Sequence, residues 1–581
     1  MLCLAAMSVV PARAEITTVF YILLENRCFT SGTDTSYSNV LYNNKNGGSP
    51  YLTSLCTPGS TAYSVNYQGN SISQTAQSSF CSAYHHVFST YNNTNVSPYG
   101  ANQPSGTSVH PSEPNYIFME AGSNFGVLND NEPYAASSPS VGAISSFLTA
   151  HPTFTGECFS QLLQNQGIGW TSYTEGTGLL NSNGLDFNKN TTSGGATLTN
   201  NISPIGTRTV PYASFSGTSA TYTNAYNGSH QYNFATKHTG QLFFPATNGG
   251  TTTAGNTATT NPTVSHYAPL EQLASDLANN TQAPYCVITP DQYNDGHTAL
   301  SSTFTYHNYG GTNSGVDRTY TGGSDLARVA QMDNFCAILV PQIMSSPVYQ
   351  AGNAAIVIWT DETEGSPIND FYHTLTEIVI SPQAKGNAYN STLNYTHSSD
   401  LATMQKIFGV SANTDSGFLN DSANFSNPTP SGVSVTVNNG QGLQTSTGQP
   451  FFGFGTGTAQ DLSDLFQPGV IPPTLPTFEV TPSGYVFNRK ANTDTQTVTV
   501  TNTLTSDVNE PIYLLVGNLS SNTTLQNPSG TTANHLAGTP YVLVANGLAA
   551  GASTTVSLKF TAPSTGLITD SMSILATTGA P

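Results

Sequence analysis

The chain reads as an α/β protein built on a largely parallel sheet and followed by a separate β-sandwich. Three observations predict this. Continuous apolar and β-branched runs at 16–24, Tyr285–Thr289 and 354–359 alternate with helical patterns, as strands buried on both faces require. Glu25, Asp291 and Asp361 each fall just behind one of those runs, where parallel sheets form their ligand crevice. From about residue 477 helical periodicity stops and short β runs replace it.

The elements follow in order. Residues 2–10 are apolar and Ala12-Arg13-Ala14 resembles a cleavage site, so 1–14 read as a secretion signal, although the usual basic start is missing. The run at 16–24 is a buried strand that ends in Glu25-Asn26-Arg27. Residues 30–110 are rich in Gly, Ser, Asn and Tyr and read as a long irregular insertion. Then comes His110-Pro111-Ser112-Glu113-Pro114-Asn115-Tyr116, leading into the apolar Ile117-Phe118-Met119. Proline is accepted in a first helical turn and serine is a good N-cap, so Ser112 falls at a loop-to-helix junction. Such a junction favours an anion.

Helical patterns are expected at 141–150 and 157–166, and a short strand after Gly167-Ile168-Gly169-Trp170. Residues 181–265 read as surface loops with short strands. Leu270, Leu273 and Leu277 mark an amphipathic helix over 268–279. The strand Tyr285–Thr289 runs into Asn294-Asp295-Gly296-His297. The longest helix is expected at 324–345. A buried strand at 354–359 leads to Thr360-Asp361-Glu362, another strand covers 375–380, and a helix over 398–408 follows Thr396-His397. Periodicity is lost over 411–475. Residues 471–476 are a proline-rich linker, so 15–470 form the main domain. In 477–581, β runs at 497–501, 512–516, 541–544 and 555–560 suggest an immunoglobulin-like β-sandwich.

Composition narrows the partners. Of 581 residues only 8% are charged, against about 25% in ordinary domains. Neutral polar residues carry solubility instead, as suits an exported or cell-surface protein. The formal charge is −19, from 13 basic and 32 acidic residues, which argues against nucleic acid and anionic membranes as partners. An anionic substrate therefore needs a local positive feature, such as a metal ion. No run is long enough to span a bilayer. Beyond the signal lie Cys28, Cys56, Cys81, Cys158, Cys286 and Cys336. An even number in an exported chain suggests disulfides, with 15 pairings open. Metal-site spacing is absent, so disulfides or buried thiols are the readings kept.

Four patches bear chemistry: Glu25-Asn26-Arg27, the segment around Ser112, Asn294-Asp295-Gly296-His297, and Asp361-Glu362 followed by His397-Ser398. In that order, with Gly169-Trp170-Thr171-Ser172-Tyr173, they resemble the bacterial phosphoesterase family of acid phosphatases and phospholipases C in the alkaline phosphatase superfamily. The resemblance covers roughly 16–470. It implies an alkaline-phosphatase-like fold and one divalent metal ion, whether Zn, Ca, Mg, Mn or Fe, held by Glu25, Asn26, Ser112, Asp361 and Glu362. It implies Ser112 as nucleophile, His297 and His397 at the phosphate pocket, and His238 and His373 as substrate-binding positions. Cys28 and Thr30 depart from the family's serine and aspartate, and Thr363-Glu364-Gly365 replaces its commoner run. These departures bear on substrate choice. A hydroxyl needs a base or a metal to become a nucleophile, and carboxylates with an amide suit a hard or borderline cation. The expected function is an exported phosphoric-ester hydrolase of acid phosphatase type with a phosphoseryl intermediate. Phospholipase C activity is the runner-up. A non-catalytic surface protein on an enzyme scaffold, attached to the envelope through the C-terminal sandwich, is the third reading.

Overall fold

The computed structural model describes residues 16–28, 48–59, 77–84, 111–122, 157–177, 214–248, 266–306, 317–362, 375–391, 395–412, 461–472 and 478–576, with short breaks inside the longer stretches. A few short pieces, including Leu41, Asp130 and hairpins within 66–71 and 435–446, complete the set. The expected signal at 1–14, the helix expected at 141–150 and His373 lie outside the described residues. The chain divides into two compact units, one of 1–156, 171–403 and 422–471, the other of 157–170, 404–421 and 472–581.

The first unit is organised by an eight-stranded sheet among the described residues. Its strands are β1 (Thr18–Leu24), β2 (Ser78–Tyr84), β3 (Trp170–Thr174), β4 (Tyr267–Pro269), β5 (Tyr285–Thr289), β6 (Ala354–Thr360), β7 (Leu375–Ile380) and β8 (Tyr389–Ser391). They lie in the order β8-β2-β7-β6-β1-β5-β3-β4. β1 pairs in parallel with both β6 and β5, and β3 with β4, while β7 runs antiparallel to β6 and β2. The α/β expectation with a largely parallel sheet therefore holds.

Both faces of the central strands are covered, which is why they read as unbroken apolar runs. Phe20, Ile22 and Leu24 share a core with Ile356, Ile358 and Ile288. Val329, Met332, Phe335 and Leu339 of a helix over Asp325–Met344 complete it. Burying each such side chain stabilises by about 1.5–3 kcal/mol. Truncating one of them, as in Ile358→Ala, costs about 2–5 kcal/mol. On the other face Tyr21 lies 6.2 Å from Trp359, and Tyr116 packs edge-on to Trp359 at 5.6 Å. Tyr116 belongs to α1 (Glu113–Ala121), which ends at Gly122 in the left-handed region, φ 65°.

Two further helices of this unit match expectation: α3 (Glu271–Asn279) and α4 (Asp325–Met344), α2 (Phe159–Asn165) being in the second unit. Ser324 caps α4, its side chain accepting from Ala327 N–H. α5 (His397–Phe408) begins in the first unit at the expected place. One expectation is corrected. β2 lies within the segment read as an irregular insertion, yet it pairs with β7. Its sequence, Ser-Ser-Phe-Cys-Ser-Ala-Tyr, lacks an apolar alternation because hydrogen bonding to β7 and β8, not periodicity, fixes it.

The six cysteines are buried and form no disulfide among the described residues. Cys56, Cys286 and Cys336 are part of the apolar core, so of the two readings kept, the buried thiol applies.

In the second unit, antiparallel strands form a five-stranded and a four-stranded sheet around one core. Val498, Val500, Leu558 and Phe560 of one sheet meet Leu514, Val516 and Val542 of the other. The buried positions alternate along Thr493–Asn502, the mark of a sandwich strand.

Candidate functional site

In the parallel pairing of β1 with β6, Leu24 lies opposite Thr360. The next residue of each strand, Glu25 and Asp361, therefore emerges beside the other at the carboxyl edge. The chain turns sharply there. Asn26 adopts φ 52°, a region asparagine tolerates, and its backbone N–H donates to Asp361 Oδ1 at 3.0 Å. The same oxygen accepts from Glu362 N–H at 2.6 Å, which turns Glu362 back toward Glu25.

Ser112 comes to this edge from the start of α1. It sits immediately before the helix, but its side chain makes no capping bond. Instead Ser112 Oγ lies 2.6 Å from Glu25 Oε1 and 2.8 Å from Glu362 Oε1. The reading of Ser112 as a mere helix cap is thereby excluded. Glu25, Asp361, Glu362 and Ser112 are all buried.

The third wall is the loop after β5. Asp295 O accepts from Glu25 N–H at 2.8 Å, and Arg27 donates to Gly296 O at 2.9 Å. Gly296, at φ 108°, is required: a Cβ there would meet Met332 Cε at 2.1 Å and Glu25 O at 3.0 Å. Asp295 and Glu25 flank the imidazole of His238. Its Nε2 lies 3.2 Å from Glu25 Oε1 and its Nδ1 3.5 Å from Asp295 Oδ2. The ring stacks on Tyr116 at 4.8 Å.

The loop is locked from behind. Glu175, following β3, accepts from Asp291 N–H (2.9 Å), Asn294 Nδ2 (2.6 Å) and Asn224 Nδ2 (2.7 Å). Asp291 Oδ1 in turn accepts from Tyr293 and Asn294 N–H. Asp291, expected as a site acid from its place behind a strand, thus organises the loop.

The electrostatics show a shortage of positive charge. Burial, and then the charges of Glu362 and Glu25, push Asp361 well above the usual carboxylate range. Burial and the Glu25 charge do the same to Asp295. Burial also opposes ionisation of Glu25, but the adjacent His238, with His297 and Lys237, holds it well below its ordinary value. Burial opposes the charged form of His238 too, yet Glu25 and Asp295 raise it to about 10.

Two groups of ligand atoms each lie within 4.8 Å of one another: Glu25, Asp361 and Glu362, and Glu25, His238 and Asp295. Glu25 Oε2 and Asp361 Oδ2, both buried, have no hydrogen-bond partner among the described residues. Buried charges persist when paired or bound to metal, so the donor set fits a divalent cation with oxygen ligands. Glu25, Asp361, Glu362 and Ser112 would hold it. Asn26 reaches this edge by its backbone.

The expected histidines separate. His238 is at the site. His297 is half-buried at its rim, its N–H donating to Asp295 Oδ1 at 2.8 Å and its Nδ1 paired with Thr298 Oγ1 at 2.9 Å. Glu25 raises the His297 pKa, but burial, His238 and Lys237 together lower it overall. His397 is fully buried behind the cage, with Nε2 3.2 Å from Thr360 O and its ring 4.5 Å from Trp359. Burial pushes its pKa down to about 3. Both contacts are to the strand that leads into Asp361. Asp295 and Glu175 were missed. The Asn-Asp-Gly-His patch drew attention to its histidine, although the neighbouring acid is the one that faces Glu25. Nothing near Glu175 in sequence marks it.

No known protein-family profile matches the chain, and no curated protein matches it. Solved structures of similar shape include an alkaline phosphatase superfamily protein from Vibrio parahaemolyticus, at 9% identity over 69% of each chain with a TM-score of 0.32. A structure from work on glycosaminoglycan metabolism by Bacteroides thetaiotaomicron matches at 10% identity, over 84% of this chain and 87% of that one, with a TM-score of 0.32. Ps i-CgsB bound to a neocarrahexaose matches at 10% identity, over 68% and 73%, with a TM-score of 0.30.

Proposed function

We infer that the chain hydrolyses phosphoric esters through Ser112, with a divalent cation in the Glu25–Asp361–Glu362 cage, and that acid phosphatase activity is its main reaction. One observation carries this: a single serine hydroxyl lies within 2.8 Å of two buried carboxylates at the carboxyl edge of a parallel sheet. A structural serine has no reason to draw two acids together out of water.

A bound cation supplies a lowered hydroxyl pKa at Ser112 and charge neutralisation at the ester oxygens. The chain's own residues do the rest. Ser112 gives its hydroxyl proton to Glu362, 2.8 Å away, as Oγ attacks phosphorus and the bond to the ester oxygen breaks, and takes that proton back when the Oγ–P bond is later cleaved. His297, protonated under acid conditions, stands at the rim to give the leaving oxygen a proton. It then takes one from the water that cleaves the phosphoseryl bond. His238, between Glu25 and Asp295, keeps Glu25 ionised and oriented. His397 fixes the strand end through Thr360.

Export to the cell surface, with the C-terminal sandwich as an attachment or spacing module, fits the low charge content and remains part of this proposal. A scaffold without catalysis has no reason to gather three buried acids at one strand edge.

The test is turnover of p-nitrophenyl phosphate, p-nitrophenylphosphorylcholine and p-nitrophenyl sulfate by the full chain and Ser112→Ala, with metal content measured on the same samples. Monoester turnover lost in the variant supports the reading. Preference for the choline diester moves it to phospholipase C, and preference for the sulfate moves it to a sulfatase. No turnover and no metal would leave the non-catalytic surface protein.

A further inference from the structure

His238 is placed by more than its two nitrogens. Nε2 lies 3.2 Å from Glu25 Oε1 and Nδ1 3.5 Å from Asp295 Oδ2, whereas a charge-assisted N–H to carboxylate bond closes to about 2.7–2.9 Å. The outer torsion of a histidine is also soft. Those two contacts alone leave the plane of the imidazole loosely set. A ring face fixes it. Tyr116, buried on α1, stacks on the imidazole at 4.8 Å with the two planes 16° apart. Tyr116 is held in turn by its edge-on contact with Trp359, near the end of β6.

The segment that carries His238 is pressed onto the same helix. His238 ends a short turn over Thr236–His238. A Cβ on Gly240 would run into the carbonyl oxygen of Tyr116 and lie 3.1 Å from Glu120 Cγ, so only glycine permits the approach. Gln241 Nε2 then donates to Glu120 Oε1 at 2.8 Å. The same helix carries Ser112 one turn before Tyr116, whose N–H donates to Ser112 O at 3.4 Å. Ser112 Oγ and His238 Nε2 both approach one atom, Glu25 Oε1, at 2.6 Å and 3.2 Å. The contacts therefore close a ring: Ser112, Glu25, His238, Tyr116, and back to Ser112 through one turn of α1.

We propose that Tyr116 is a positioning residue of the site: its ring seats His238 on the helix that carries Ser112, so that imidazole and hydroxyl meet Glu25 Oε1 in a fixed relation. Tyr116 acts through His238. A shift of α1 carries hydroxyl and imidazole together and preserves their common contact. Loss of the ring lets the imidazole turn, and Glu25 loses a fixed partner while Ser112 stays in place. The effect on turnover rests on the reading of Ser112 as nucleophile. The effect on metal affinity rests only on Glu25 as a ligand.

The experiment compares the full chain as wild type, Tyr116→Phe, Tyr116→Leu, Gly240→Ala, His238→Gln and the Tyr116→Leu/His238→Gln double variant. Cobalt(II) affinity is measured by calorimetry on chelated, dialysed protein, and kcat and KM on p-nitrophenyl phosphate, with circular dichroism to confirm folding. Tyr116→Phe keeps the ring and should stay within about twofold of wild type in both. Tyr116→Leu should lower kcat roughly a hundredfold with KM little changed, and weaken cobalt binding roughly tenfold. The double variant should match His238→Gln, whereas a role in packing alone would add a loss of its own. Gly240→Ala moves the turn off α1 with the ring intact and should shift kcat and affinity in the direction of Tyr116→Leu, which keeps the test open if the leucine variant does not fold. Wild-type kcat and affinity in Tyr116→Leu overturn the proposal, as does further loss in the double variant. Equal damage from Tyr116→Phe also overturns it, by giving the role to the hydroxyl. Weaker cobalt binding by Tyr116→Leu, with no ester turnover in any form, sinks the hydrolase reading and leaves the positioning role standing. Equal turnover and affinity in every Tyr116 and Gly240 variant sink the positioning role alone.

Discussion

Ser112 Oγ lies 2.6 Å from Glu25 Oε1 and 2.8 Å from Glu362 Oε1. A hydroxyl carries one proton and can donate to one of these acceptors at a time. The other close oxygen pair is left without a proton between its two atoms. The chain brings Glu25, Ser112 and Glu362 together from positions 25, 112 and 362, so the arrangement is a product of the fold and not of local sequence. A cation placed among the three oxygens resolves the deficit.

Replacing Ser112 by alanine removes the nucleophile and leaves the cage acids. Ester hydrolysis should fall by roughly a thousandfold or more, with the circular dichroism spectrum unchanged. Steady-state kinetics on p-nitrophenyl phosphate decide it, and activity within tenfold of wild type would remove Ser112 from the reaction.

Metal removal should abolish hydrolysis and also soften the fold. A cation at a hundred times its dissociation constant stabilises by about 2.7 kcal/mol. Chelation followed by dialysis should therefore lower the melting temperature, and re-addition of one metal ion per chain should restore both properties. A melting curve indifferent to chelation in metal-containing protein contradicts the cage.

Glu175 tests the loop's role. Its carboxylate accepts three hydrogen bonds, and Glu175→Gln places an NH2 group against donors. Leaving such buried groups unsatisfied costs about 1–3 kcal/mol, visible as a lower urea midpoint. Because Asp295 and His297 ride on this loop, metal affinity should weaken as well. Wild-type affinity in the variant would show that the network serves stability only.

His397 gives a pH signature. Its folded pKa is about 3, and an unfolded histidine titrates near about 6.5. Below about 6.5 the unfolded chain binds a proton that the folded chain refuses. The contribution is therefore complete above that pH and is lost as pH falls toward 3, by up to about 1.4 kcal/mol per pH unit. Urea midpoints between pH 7 and pH 4 should fall less steeply for His397→Asn than for wild type. Parallel curves would refute the assignment.

Deleting residues 477–581 should leave turnover of a small ester intact, since Glu25, Ser112, Asp361 and Glu362 all lie outside them. Loss of turnover with the remaining chain still folded would tie the sandwich to catalysis.

Much of the sheet was legible because burial writes itself into composition. β1, β5 and β6 are nearly continuous apolar runs, and the ends of β1 and β6 locate Glu25 and Asp361. β2 was not legible, since a serine-rich strand takes its place by pairing with β7. At the site, Ser112 and the acidic pairs stood out through their position behind strands and before a helix. Asp295 and Glu175 did not. Each gains its role from partners far along the chain, Glu25 and His238 for the first, Asn224 and Asn294 for the second. Only the fold brings those partners near.

The register of β1 against β6 has a consequence for how such a protein can change. Leu24 opposite Thr360 fixes the two leading cage acids as neighbours, whatever lies between them in sequence. Added or deleted residues in the stretches joining the strands alter loop length and leave that spacing alone. A one-residue slip along either strand would turn every side chain to the opposite face, breaking cage and core in the same step. Lineages of this chain are therefore free to remodel the rim, while point insertions within two seven-residue strands are closed to them.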